Sequence, residues 1–114
     1  MGRITTHVLD LTRGQPAAGM KIELWRVDGE TRARVAASRT NTDGRTDAPL
    51  LEAAPLPLGV YELVFQVGDY FAIPTADGRF LEAVPIRFTV ADPAGHYHVP
   101  LLTTPWAYST YRGS

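Results

Sequence analysis

The sequence predicts an all-β fold, an antiparallel β-sandwich of about eight strands with one short helix. The first reason is a set of short runs with period-two alternation, of which GVYELVFQV from Gly59 to Val67 is the clearest. The second is the regular spacing of turn signals between these runs: Arg13-Gly14-Gln15-Pro16, Asp28-Gly29, Asn41-Thr42-Asp43-Gly44 and Asp92-Pro93-Ala94-Gly95. The third is the scarcity of helical patterning, since only Asp69 to Ile73, ahead of Pro74, suits a helical turn.

Ile4 to Leu11 makes the first strand and ends in a Gly/Pro loop. Lys21 to Val27 makes the second, with Met20, Ile22, Leu24 and Arg26 on one face and Lys21, Glu23, Trp25 and Val27 on the other. Asp28-Gly29 reads as a hairpin turn into a strand of mixed polarity from Thr31 to Thr40. Pro49, Pro55 and Pro57 turn the next stretch into loop. In the Gly59 strand, Tyr61, Leu63, Phe65 and Val67 form the apolar face. Thr75-Ala76-Asp77-Gly78 is loop, and Leu81 to Val90 is a strand that Pro85 assigns to a sheet edge or an irregular start. His96 to Leu102 and a short run from Ala107 to Tyr111 complete the set. Trp25 and Trp106 read as core or interface anchors.

The 114 residues fit one domain, 1–114, without repeat, linker or low-complexity segment. Apolar residues are 45% and charged residues 20%, and 11 basic against 12 acidic residues leave a net charge of −1. That balance argues against a nucleic-acid footprint and favours a small-molecule or protein partner. No cysteine is present, which excludes disulfides and thiolate metal sites. The first residues carry no apolar signal core, and no run approaches the roughly 18 apolar residues of a membrane span. The expectation is a cytoplasmic protein with no membrane partner.

Three histidines could do chemistry. In the last long strand Tyr97, Val99 and Leu101 face the core, so His96, His98, Pro100 and Leu102 face away. His7 can likewise sit on an outward face, and such a pair could line a groove or a subunit interface. By default a histidine on a strand is a surface or hydrogen-bonded residue. His96 and His98 share a face, but a zinc site needs at least one more ligand. Arg45, after the Asp43-Gly44 turn, is by default solvated; aimed into a pocket, its guanidinium suits an anionic or carbonyl-rich ligand. Arg32, Arg34 and Arg39 read as exposed strand charges. The run from Ala107 to Tyr111 keeps strand character close to the chain end, where fraying is usual, so this tail is expected to be packed.

Three segments together resemble the transthyretin-like family, and within it the 5-hydroxyisourate hydrolase branch. They are Ile4-Thr5-Thr6-His7-Val8-Leu9-Asp10, then Thr42-Asp43-Gly44-Arg45, then Gly95 to Leu102 continuing to Tyr108-Ser109-Thr110-Tyr111-Arg112-Gly113-Ser114. The tetrapeptide Tyr111 to Ser114 is the most specific mark, because the thyroid-hormone carriers of the same fold lack it. Thr103-Thr104, where many members have Leu-Ser, and the stretch Ile73 to Arg79 depart from the pattern without touching these positions.

The resemblance implies two four-stranded sheets with one short helix, and a homotetramer built as a dimer of dimers. Its central channel, lined by outward strand faces, holds the sites at the subunit interface. It implies hydrolysis of 5-hydroxyisourate to 2-oxo-4-hydroxy-4-carboxy-5-ureidoimidazoline in urate degradation. His7, Arg45, His98 and Ser114 would be catalytic, with His7, Arg45, Tyr111, Arg112, Gly113 and Ser114 binding substrate. His96 has no role in this scheme and is expected at the surface. No metal and no organic cofactor is implied. One of His7 and His98 would activate water while the other orients it or shuttles the proton. Two other readings are a carrier using the same channel for an aromatic ligand, which would want a less polar lining, and a structural sandwich of a surface assembly.

Overall fold

A computed structural model describes residues 1–114 as two packed β-sheets. The strands are β1 (Gly2–Asp10), β2 (Gln15–Pro16), β3 (Lys21–Asp28), β4 (Thr31–Arg39), β5 (Leu51–Ala53), β6 (Gly59–Gln66), β7 (Ala83–Val90), β8 (His96–Thr103) and β9 (Tyr108–Thr110). A single helix, α1 (Val67–Phe71), follows β6 directly, and Thr75–Asp77 forms one 3₁₀ turn. No helix is long and apolar enough to cross a membrane.

One sheet runs β4-β3-β6-β7 and is antiparallel throughout. The other runs β2-β1-β8-β9, with β5 also paired to β1. Within it β1 and β8 run parallel, from Arg3 opposite His96 to Asp10 opposite Thr103, and all other pairings are antiparallel. Parallel neighbours need a long crossover. The chain supplies it by building the whole β4-β3-β6-β7 sheet between β1 and β8.

The alternation read from the sequence sets the core. Ile4 and Val8 of β1, Ile22 and Leu24 of β3, Tyr61, Leu63 and Phe65 of β6, and Tyr97, Val99 and Leu101 of β8 are buried between the sheets. Each large aliphatic or aromatic side chain buried there contributes about 1.5–3 kcal/mol from apolar transfer. Pro85 lies in the edge strand β7, where a missing ladder N–H is tolerated. Two strands were not evident in the sequence: β2 inside the Gly/Pro loop, and β5 inside the proline-rich stretch. The helix begins two residues earlier than expected, at Val67.

Of the two readings for the tryptophans, core or interface, neither side chain belongs to the core. Trp25 lies on the outer face of β3, with the Arg32 guanidinium 4.2 Å above its ring, and Trp106 is exposed. Arg32 and Arg34 are ion-paired across the same sheet, to Glu62 at 3.5 Å and Glu23 at 3.1 Å.

The end of β1 is pinned by a buried carboxylate. Asp10 accepts the backbone N–H groups of Thr12 (2.9 Å) and Arg13 (3.1 Å) on one oxygen and the Tyr70 hydroxyl (2.8 Å) on the other. Burial and the Asp10 carboxylate together push Tyr70 up to about 12, so it stays a donor at neutral pH. This clamp ties α1 to the strand that carries His7.

Candidate active site

The outward face of the β1–β8 pair is polar where its inward face is apolar. Arg3, Thr5 and His7 project from β1, and His96 and His98 from β8. Strand parity places them there: Thr6 and Val8 are buried while Thr5 and His7 are half-exposed, and Tyr97 and Val99 are buried while His98 is half-exposed.

Arg45 reaches this face through a tight turn. The Asn41 side-chain oxygen accepts the N–H groups of Asp43 (2.9 Å) and Arg45 (3.2 Å), which closes the turn from its first residue. Gly44 takes a left-handed φ of 74°, and its carbonyl accepts the Val8 N–H at 2.8 Å. Arg45 then pairs with His7 as an antiparallel bridge. The Thr42-Asp43-Gly44-Arg45 motif is therefore a device that sets the Arg45 backbone beside His7.

The tail returns to the same place. β9 pairs with β8, from Leu101 opposite Thr110 to Thr103 opposite Tyr108. Past β9, the Gly113 N–H donates to the His98 carbonyl at 2.8 Å. Ser114 thus arrives beside His98.

These elements enclose an open cavity of about 370 Å³. Its lining includes Arg3, Thr5, Arg45, His96, His98 and Ser114. Of the residues singled out from the sequence, His98, Arg45 and Ser114 meet in this one cavity, and Gly113 supports His98 from behind. His7 is adjacent through its backbone pairing with Arg45 but does not line the cavity. Tyr111 and Arg112 line a different, more apolar cleft between β7 and the β8–β9 edge, of about 290 Å³. There the Arg112 guanidinium stacks 4.4 Å from the centre of the Tyr97 ring. Sequence reading passed over Arg3 and Thr5, which share the outward parity of His7, and it set His96 aside.

Thr5 Oγ1 stands 2.8 Å from His98 Nδ1 and 2.8 Å from His96 Nε2. Burial, then the charges of Arg45, His96 and His7, hold His98 below its ordinary 6.5. His96 is held below 6.5 by burial and by Arg3. The His98 ring is thus a neutral imidazole at pH 7, with a nitrogen lone pair available and a guanidinium across the cavity. That set can take a proton from water and stabilise an oxyanion. No three His, Asp or Glu side chains converge on a point that could hold a metal ion.

Residues 4–113 match the family model described as HIUase/Transthyretin family. The 5-hydroxyisourate hydrolase of Deinococcus radiodurans is 59% identical over 113 residues, covering 97% of this chain and 95% of that protein. The solved 5-hydroxyisourate hydrolase of Klebsiella pneumoniae superposes with a TM-score of 0.81 at 38% identity, with both chains fully covered. A solved (S)-allantoin synthase superposes with a TM-score of 0.90 at 44% identity over 99% of this chain. The chain spans only 44% of that synthase.

Proposed function

The chain belongs to the HIUase/transthyretin family, and on that premise we propose that the His98 cavity carries out the hydrolysis of 5-hydroxyisourate in urate degradation. The observation that carries this reading is the convergence of His98, Arg45 and Ser114 on one polar cavity from three distant parts of the sequence.

The reaction adds water to a ring carbonyl, breaks the adjacent C–N bond and leaves a carboxylate and a protonated ring nitrogen. His98 is the better placed of the two histidines to activate water, because it lines the cavity and its Nδ1 is already engaged by Thr5. Arg45 holds the carbonyl-rich substrate and offsets the charge that develops on oxygen. His7, in register with Arg45, orients the substrate edge or returns the proton to nitrogen. Ser114 binds a polar edge of the ring. Tyr111 and Arg112 serve by docking the tail, with Arg112 on Tyr97, rather than by reaching into this cavity. No step calls for a metal or an organic cofactor.

The cavity opens outward, as expected of a site completed at a subunit interface. That opening supports our reading of the site as part of a homotetramer, a dimer of dimers, and we propose a cytoplasmic location for the protein. Exposed Trp106, Tyr108 and Tyr111 beside the β9 edge give association an apolar surface. Light scattering on a gel-filtration column checks the mass.

The decisive experiment follows the ultraviolet decay of freshly made 5-hydroxyisourate, with the spontaneous rate subtracted. His98→Ala is expected to lower kcat by roughly 10²–10⁴-fold, the usual range for a positioned acid–base group. Full activity in that variant, or loss of wild-type activity on treatment with a chelator, would overturn the assignment.

A further inference from the structure

Thr5 has one hydroxyl and touches two imidazoles with it. Oγ1 is 2.8 Å from Nε2 of His96 and 2.8 Å from Nδ1 of His98. The parallel register explains the coincidence. Arg3 is opposite His96 and Thr5 is opposite His98, so the Thr5 side chain stands on the outward face beside both rings.

A hydroxyl has one hydrogen to donate and two lone pairs. If the hydrogen goes to His96 Nε2, then His98 must present Nδ1–H to the Thr5 oxygen. Neutral His98 then carries its lone pair on Nε2. If the hydrogen goes to His98 Nδ1, the lone pair of His98 is used there, and Nε2 carries the hydrogen. Nε2 makes no hydrogen bond within the chain, while the neighbouring Cδ2 lies toward Gly113. The first arrangement therefore leaves a base free at the end of the ring, and the second leaves a donor.

We infer that His96 and Thr5 are positioning residues that set the tautomer of His98. Neutral His96 accepts the Thr5 hydroxyl through Nε2, Thr5 accepts Nδ1–H of His98, and His98 Nε2 stays unprotonated. The inference rests on the reading of His98 as general base. It follows the general rule that the hydrogen bond at one imidazole nitrogen dictates the state of the other.

Titration of His96 would reverse the relay. Once His96 is charged, its Nε2 becomes a donor to Thr5 Oγ1. The ring nitrogen still able to accept the Thr5 hydrogen is Nδ1 of His98, and that tautomer has no base at Nε2. The groups facing this pair are Arg3 and His7 from β1, and Arg45 and Asp47 from the segment after Gly44. Asp47 is hydrogen-bonded by the Asn41 amide at 3.0 Å, burial and Arg3 oppose protonation of His96, and burial with Arg45, His96 and His7 opposes that of His98. His96 is thus kept neutral at pH 7, the state in which its Nε2 can accept from Thr5.

The test is ¹⁵N NMR of the histidine rings of the intact protein without substrate, joined to kcat and KM against pH. Wild type is expected to show His98 as the Nδ1–H tautomer at neutral pH. Thr5→Val is expected to shift His98 toward Nε2–H and lower kcat about tenfold or more, with KM little changed. Thr5→Ser is expected to restore both. In His96→Gln the amide oxygen still accepts from Thr5 but does not titrate. That variant is expected to keep the tautomer and to reduce the acid limb of kcat from a two-proton to a one-proton slope. A wild-type His98 already in the Nε2–H form would overturn the relay, as would a Thr5→Val protein with an unchanged tautomer. If Thr5→Val fails to fold, Thr5→Ala, which also lacks the hydroxyl, takes its place in the same spectra with the same expected result. An intact tautomer in a wild-type protein that does not turn over 5-hydroxyisourate would sink the functional reading and leave the relay standing.

Discussion

The backbone of Gly113 lies directly against the imidazole of His98: its N–H donates to the His98 carbonyl at 2.8 Å, and no side chain separates the two residues. A Cβ on residue 113 would press into Cδ2 and come within 3.1 Å of Cγ. The constraint is one of space, imposed by the proximity of the ring. Gly113→Ala should therefore displace the His98 ring while sparing the sandwich. We expect kcat to fall about 10–100-fold, since a shift of about 1 Å in a catalytic group has that cost. Urea unfolding should change by less than about 1 kcal/mol, because residue 113 lies outside the core. Equal losses of activity and stability would refute the separation.

Gly44 answers to backbone geometry instead. Its φ is 74°, and a Cβ there would run into the Val8 carbonyl oxygen and meet Pro16 Cβ at 3.1 Å. That carbonyl belongs to β1 and cannot rotate away. Gly44→Ala combines left-handed strain with a backbone clash, and about 1–3 kcal/mol of destabilisation is expected. Because Gly44 places Arg45 against His7, KM for 5-hydroxyisourate should also rise. Denaturant melts alongside steady-state kinetics check both. A stable variant with normal KM would show that Arg45 is positioned by something other than this turn.

Parity of the strands made much of this legible beforehand. Alternation in Gly59–Val67 and in His96–Leu102 named the buried faces correctly, since a period of two leaves each side chain one sheet face to occupy. It also put His98 and His96 outward. β2 and β5 escaped because they are only two and three residues long, too short to alternate, and they sit among prolines and glycine. The parallel pairing of β1 with β8 has no local signature, because it joins segments some ninety residues apart. For the same reason the Thr5 contact with both rings could not be read from spacing. The resemblance supplied Tyr111 and Arg112 as parts of one site; their cleft is set by the way the tail wraps the β8 edge, which sequence order does not reveal.

Proton linkage at His98 has a definite sign. Its pKa in the fold lies below 6.5, first through burial and then through Arg45, His96 and His7. The unfolded chain binds the proton more readily, so the associated stability is present above pH 6.5 and is lost as pH falls through the folded pKa. Activity should fall in the same direction, because charged His98 is no base. Arg45→Gln removes one opposing charge, so the His98 midpoint should move up toward 6.5. NMR titration of the ring reads this even if the variant turns over poorly. A midpoint that moves down would mean that Arg45 does not act on His98 electrostatically.

Removal of Tyr111–Ser114 tests the tail as a whole. Its anchors are the Gly113–His98 hydrogen bond and the Arg112–Tyr97 stack, both at the edge of the β8–β9 sheet. A backbone hydrogen bond of this kind contributes about 0.5–1.5 kcal/mol, and an exposed cation–π pair about 0.5–1 kcal/mol. The core is untouched, so the truncated protein should fold with a loss of only about 1–3 kcal/mol. The catalytic consequence should be larger. Ser114 leaves the cavity, and the His98 ring loses the backbone that packs against its Cδ2 edge. We expect kcat/KM to drop at least about 100-fold, with the far-ultraviolet spectrum unchanged. Arg112→Met separates the two anchors: it removes the stack on Tyr97 but leaves the Gly113 bond. It should therefore lose only a few-fold in kcat/KM. If the truncated chain keeps full activity, the tail is packing for the sheet edge and the His98–Arg45 pair works without it.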